Sequence, residues 1–360
     1  MAERSLFEAD VRAQPEAFRM LATGGPDRWE KVLDAMARSP EGGCTLLVGM
    51  GSSYMAATGA AVSWSAWGVP ARAELASDLL HYGAGLIGPR DRVILISQSG
   101  ASVEVVKLAD QLRDQGIPLT AVVNRADSPL AGKAQAVFTM ELPPDHGVAV
   151  KSFGGTLLTL LYLGYRLAGG PARDWSERAL AVASALEEAM AAGAVWRALG
   201  ADLARRPAQP AVVTLARGPL LAGARGAALL CNEVAKVPAW CEEAGEFRHG
   251  IVEMCDERVA AAVMIAAGSG ADLQLSLAAE LQPTGALVLA VAPPAYAGAA
   301  SAAGARVLEV PDVPEDYASP LYVLPFQWLT LGWAETRGIR PGQFRYIPGV
   351  ITSETGGRRS

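Results

Sequence analysis

The sequence predicts an α/β fold built from two tandem doubly wound parallel sheets, and three observations carry that prediction. Short apolar runs of strand length alternate with longer helical patterns, the signature of parallel strands joined by crossover helices. The alternation stops at a long stretch rich in alanine and glutamate and then starts again, so the architecture repeats within one chain. The 360 residues suffice for two domains of ordinary size, each able to bury its own core.

In chain order, residues 1–40 read as a helical lead. Phe7, Val11, Phe18, Leu21, Trp29 and Leu33 form its apolar stripe, with a break at Gly24-Gly25-Pro26. The first α/β domain covers 41–172, with strands expected at 45–48, 71–74, 93–96, 119–123 and 137–140. A linking helix follows over 173–200. The second domain covers 201–340, with strands at 211–215, 260–265, 286–291 and 305–310 and a closing helix near 324–337. Residues 341–360 carry glycine and arginine without periodicity and read as a tail.

Composition narrows the function. Thirty-one basic and 37 acidic residues give a net charge of −6 with the bases scattered, which argues against a nucleic-acid partner. Met1-Ala2-Glu3-Arg4-Ser5 leads into no apolar segment of the kind a signal peptide needs. The most apolar stretch, Val259 to Ala267, is shorter than the roughly 20 residues that span a bilayer, so no membrane partner is expected. Cys44, Cys231, Cys241 and Cys255, with His81, His146 and His249, fit no zinc spacing. We expect reduced thiols, a cytoplasmic protein, and neither metal nor cofactor.

Two places carry chemistry. Ser97-Gln98-Ser99-Gly100-Ala101-Ser102 follows the apolar run Val93–Ile96 and leads into a helix from Val103. Hydroxyls and free backbone amides at the positive end of a helix suit an anion such as a phosphate. With no lysine or arginine inside it, the loop would be a neutral hydrogen-bonding cradle; the plainer alternative is a serine N-cap. The second place is Glu233, among the apolar neighbours Leu229, Leu230 and Val234 of a long helix. Desolvation there would raise its pKa and make it a base near neutral pH, unless it lies on a solvated face. His249, sixteen residues later, titrates in the same range.

Four motifs in this order resemble the sugar isomerase (SIS) domain family. They are Val48-Gly49-Met50-Gly51-Ser52-Ser53-Tyr54, Leu95–Gly100, His146-Gly147-Val148-Ala149-Val150-Lys151-Ser152-Phe153, and Glu243-Ala244-Gly245-Glu246-Phe247-Arg248-His249-Gly250. The last is similar to a segment in the isomerase half of glucosamine-6-phosphate synthase and in related deaminases and deglycases. The resemblance implies tandem flavodoxin-like SIS domains that bind a sugar phosphate. It places Ser53, Ser97, Gln98, Ser99 and Ser102 at the family's phosphate-binding positions, with Ser52 adjacent. It places Val150 and Lys151 in a sugar-contacting segment one residue shorter than the family's, and Asp78 and Tyr82 in a structural one. Glu233 would then move a proton between C1 and C2 of the open-chain sugar. His249 would open the ring from across a subunit interface, which implies a homodimer and a tail that crosses the active site.

Two departures matter. The synthases begin with a glutamine-hydrolysing domain and use a tail lysine for a Schiff base; here a short helical lead comes first, and the last lysine is Lys236. We therefore expect a phosphosugar isomerase or an aminosugar-phosphate deaminase, not a glutamine-dependent synthase. The alternative from another class is a non-catalytic sugar-phosphate-binding sensor.

Overall fold

The computed structural model describes residues 5–36, 43–83, 85, 87–88, 90–206 and 210–355. They gather into two compact units, neither contiguous in sequence. One holds residues 17–144, 151–179 and 344–355; the other holds 5–16, 145–150 and 180–343.

In chain order, a single helix α1 (Leu6–Met36) is followed by β1 (Thr45–Gly49), α2 (Gly51–Ala66), β2 (Ala71–Leu75), the short α3 (Ala76–Asp78), β3 (Arg92–Ile96), α4 (Val103–Asp114), β4 (Leu119–Val123), β5 (Ala136–Thr139) and α5 (Lys151–Leu167). These five strands form one parallel sheet in the order β2-β1-β3-β4-β5. All residues of β1 and β4 are buried, as expected of parallel strands covered on both faces. The order reverses between β1 and β3, which makes a topological switch point there.

The Gly24-Gly25-Pro26 segment does not break α1, contrary to the sequence expectation. A Cβ on Gly25 would fall 2.7 Å from the Trp29 ring, so the glycine makes room for that indole. Proline at 26 removes the amide that would have bonded the Ala22 carbonyl one turn back. The Ser176 hydroxyl donates to that carbonyl instead, at 2.9 Å. Trp29 stacks with Tyr162 and Trp175, and its Nε1 donates to the Thr139 carbonyl, so the helix is held by packing rather than by propensity.

After α6 (Ala172–Ala189) and α7 (Gly193–Ala204) come β6 (Ala211–Ala216), α8 (Leu221–Leu230), β7 (Ala239–Glu243), β8 (Val259–Met264), α9 (Ala271–Leu281), β9 (Leu287–Ala292), α10 (Pro294–Ala302), β10 (Arg306–Glu309) and α11 (Glu315–Thr336). The second sheet is also parallel and runs β7-β6-β8-β9-β10, the same order as the first. Sequence reasoning misses β7. It is an edge strand, half-exposed along its length and ending in two glutamates, so it lacks the apolar run of a central strand. The closing helix starts nine residues earlier than its pattern suggests and runs through Pro320 and Pro325. Every residue from Tyr317 to Ala334 is buried, and burial all round outweighs the lost helix bonds.

The helical run Ala172–Ala204 contains a 3₁₀ turn at Met190–Ala192 and extends beyond the expected linking helix. By length and composition it is apolar enough to cross a membrane, unlike the shorter stretch Val259 to Ala267. Of its most apolar window, 44% is buried inside the fold, with α7 packed along α11.

Replacing Ser176 by alanine should leave the Ala22 carbonyl without its donor. We expect a loss of about 1–2 kcal/mol, measured as a lower urea midpoint with an unchanged slope.

Candidate functional site

Parallel pairing aligns Gly49 of β1 with Ile96 of β3, so the chain leaves both strands at the same level of the sheet. From β1 it turns at Met50 and Gly51 (φ 51°) into α2, with Ser52 half-buried and Ser53 buried in the first turn. From β3 it enters the serine loop. Ser97 is buried, its Oγ lying 3.0 Å from Ser102 Oγ and 3.5 Å from Ser99 Oγ, so three hydroxyls form one cluster. Ser102 is the N-cap residue of α4, yet its hydroxyl makes no capping bond. The ordinary N-cap explanation therefore fails for this serine.

The expectation of free backbone amides holds only in part. Gly100 N–H donates to the Ser97 carbonyl, Ala101 N–H to Ser99 Oγ, and Val103 N–H to the Ile351 carbonyl. The amides of Gln98, Ser99 and Ser102 have no acceptor among the described residues. An anion would thus meet hydroxyls and three amides, with no cation inside the loop. Gly100 has φ 64°, and a Cβ there would lie 2.2 Å from Ser128 Oγ; the loop is folded tightly onto the next turn.

The tail makes the Val103 contact, which sequence reasoning did not foresee. Beyond Ile351, the Glu354 carboxylate bonds Lys107 and lies 2.9 Å from His81 Nε2. The bonds from Lys107 and His81 hold Glu354 below the usual carboxylate range. The tail is therefore clamped along the first turns of α4. The only advance signal was its alignment with the family's active-site tail. Tyr82 is 90% exposed rather than packed, so nothing supports a structural role for it.

Glu233, His249 and Val150 belong to the other unit. Glu233 lies not on regular helix but in a π turn, Cys231–Ala235, that follows α8. Burial pushes its carboxyl up to about 7, against an opposing pull from the Lys236 ammonium. Two bonds fix the turn to β7: Asn232 Nδ2 donates to the Ala239 carbonyl at 2.8 Å, and Ala239 N–H donates to Asn232 Oδ1 at 3.0 Å. His249 closes the 3₁₀ turn Glu246–Arg248 and stands exposed, its N–H bonded to the Glu246 carbonyl. Arg248 pairs with Glu280, which makes it an anchor of this loop.

Val150 is buried and its N–H donates to Asp145 Oδ2 at 3.1 Å. Lys151, the first residue of α5, is buried and belongs to the unit with the serine loops.

The resemblance read from the sequence holds. Residues 45–164 match the SIS domain family. The chain is 28% identical over 355 residues to glutamine–fructose-6-phosphate aminotransferase (isomerizing) of Pyrobaculum aerophilum; the match covers 96% of this chain and 57% of that protein. The chain thus spans a little over half the length of this curated relative. Its fold matches the C-terminal domain of glucosamine-fructose-6-phosphate aminotransferase from Francisella tularensis at a TM-score of 0.85 and 18% identity, over 95% of this chain and 99% of that one. It matches glucosamine-6-phosphate deaminase from Thermotoga maritima at 0.71 and 18% identity, over 96% and 99%.

Gly100→Ala should disturb the serine loop through both its backbone angle and the contact with Ser128. We expect a destabilisation above about 1 kcal/mol, since alanine at positive φ costs more than it gains in chain entropy. Adding Ser128→Gly should recover part of it in the same urea titration.

Proposed function

We propose that this protein is an enzyme of phosphorylated sugars that moves a proton between C1 and C2 of the open-chain form, and that its substrate is an aminosugar phosphate. The observation that carries this reading is the carboxyl of Glu233, which burial brings to about 7. A base is most effective when its pKa lies near the working pH. Glu233 would take the proton from C2 of the open-chain aldehyde, and the proton would return to C1. The resulting C2 imine would be hydrolysed by water to the ketose and ammonia. Simple aldose–ketose isomerisation is the same transfer on a sugar without the amine.

The neutral cradle of Ser52, Ser53, Ser97, Ser99 and Ser102, with Gln98, would hold the phosphate and so fix the far end of the substrate while C1 and C2 react. Val150 and Lys151 would lie along the sugar. His249 would open the ring; its exposure fits a residue delivered to the site of a second copy, so we take the working unit to be a homodimer. The similarity to the Pyrobaculum aerophilum glutamine–fructose-6-phosphate aminotransferase supports the substrate class. The segment Arg345 to Glu354, which resembles the family's lysine-bearing tail, holds no lysine, and this supports amine release without a tail Schiff base.

Ser97→Ala and Ser99→Ala should each weaken binding of a hexosamine 6-phosphate by about 1–2 kcal/mol, since each removes a hydrogen bond to a charged group. Calorimetry that shows unchanged affinity in the double variant would move the phosphate site elsewhere.

Glu233→Gln should retain binding and lose turnover by about 10²-fold or more. The deprotonated carboxylate is the active form. Wild-type kcat/KM should therefore rise with pH until about 7 and then level off, and the variant should lose that limb. Substrates would be a panel of hexose and hexosamine 6-phosphates, read by ammonia release and by deuterium exchange at C1 or C2. Binding with no exchange on any of them would leave a sugar-phosphate sensor.

A further inference from the structure

We propose that Lys236 is a positioning residue for Glu233: its ammonium ties the π turn that carries the carboxylate to the backbone of Gln343 and keeps a fixed positive charge beside it. This deepens the reading above, in which Glu233 is the base. Lys236 follows the turn directly and adopts φ 58°, ψ 41°, the left-handed region. Among the described residues, Glu141 is the only other non-glycine residue at positive φ. That conformation is strained for a lysine, and it persists only where the surroundings enforce it.

Here the side chain supplies much of that enforcement. Lys236 Nζ donates to the Glu233 carbonyl and, at 2.8 Å, to the Gln343 carbonyl, 107 residues away in sequence. Val237 N–H closes the turn onto the Cys231 carbonyl at 3.0 Å. With Asn232 clamped to β7 on the other side, the backbone around Glu233 is fixed at two points. A glycine would accept this backbone angle at no cost, so what lysine adds is reach and charge. Among the described residues, Lys236 supplies the charge that acts on Glu233, and it opposes the effect of burial. Gln343 is also where the chain leaves this unit for the tail segment. One ammonium therefore links the root of the tail to the turn that carries the base.

The test compares Lys236→Met, Lys236→Gly and Lys236→Arg in the full chain. Carbon-13 NMR of labelled glutamate carboxyls, with Glu233 assigned by its absence in Glu233→Gln, would follow the titration without substrate. Loss of the ammonium should raise the Glu233 midpoint by about one pH unit in both the Met and Gly variants. The Gly variant relieves the backbone angle, so its shift cannot come from a strained fold. Arginine keeps the charge and should hold the midpoint near wild type. In activity, the acidic limb of kcat/KM should move upward with the NMR midpoint, kcat should fall at neutral pH, and KM should stay within about twofold. An unchanged midpoint in the Met and Gly variants would overturn the proposal, as would an equal rise in the Arg variant. The titration reads the coupling even if wild type turns over no sugar, an outcome that would defeat the enzymatic reading alone.

Discussion

The in-register parallel pairing of β1 with β3 is the constraint on which the candidate site depends. Each strand enters the sheet with its apolar residues buried, and the order reverses at this pair. The crossover helices diverge from there, so the loops after β1 and β3 are left side by side with no helix between them. Ser52 and Ser53 begin one helix and Ser97 to Ser102 precede another, each following one of two neighbouring strands. A shift in register would separate the hydroxyls or turn them to opposite faces.

The serine cluster and Glu233 show two uses of limited solvation. In the loop, hydroxyls that bond one another satisfy their polar needs without ligand and can reorient toward an anion. No charge has to be buried in advance, which avoids the desolvation cost a cation would bring. Glu233 makes the opposite use of burial. Its carboxyl sits where ionisation is unfavourable, and one ammonium limits how far that effect goes. The result is a carboxyl held up at about 7, above the usual carboxylate range.

The second sheet repeats the topology but not the chemistry. After β6, the place corresponding to the serine turn of β1 is taken by Arg217, Gly218 and Pro219. Arg217 pairs with Glu243 at 3.0 Å, and Glu243 also accepts the N–H groups of Gly245 and Glu246. This ion pair and the two N–H bonds secure the loop that leads to His249.

The central strands of both sheets were legible in the sequence, because parallel strands buried on both faces must be written as apolar runs. The serine loop and Glu233 stood out as candidates for the same kind of reason, since the signal for each rests on residue types within a few positions. What depends on partners far along the chain became visible in the folded protein alone. Helix α1 continues through Gly24-Gly25-Pro26 because Ser176 bonds the carbonyl that proline releases. The edge strand β7 exists because β6 offers it a ladder, although its half-exposed side chains form no apolar run. The tail lies on α4 through the Ile351 carbonyl and Glu354, and Lys236 takes a left-handed backbone to reach Gln343. In each case the deciding atom is supplied by a segment remote in sequence, and local propensity carries no record of it.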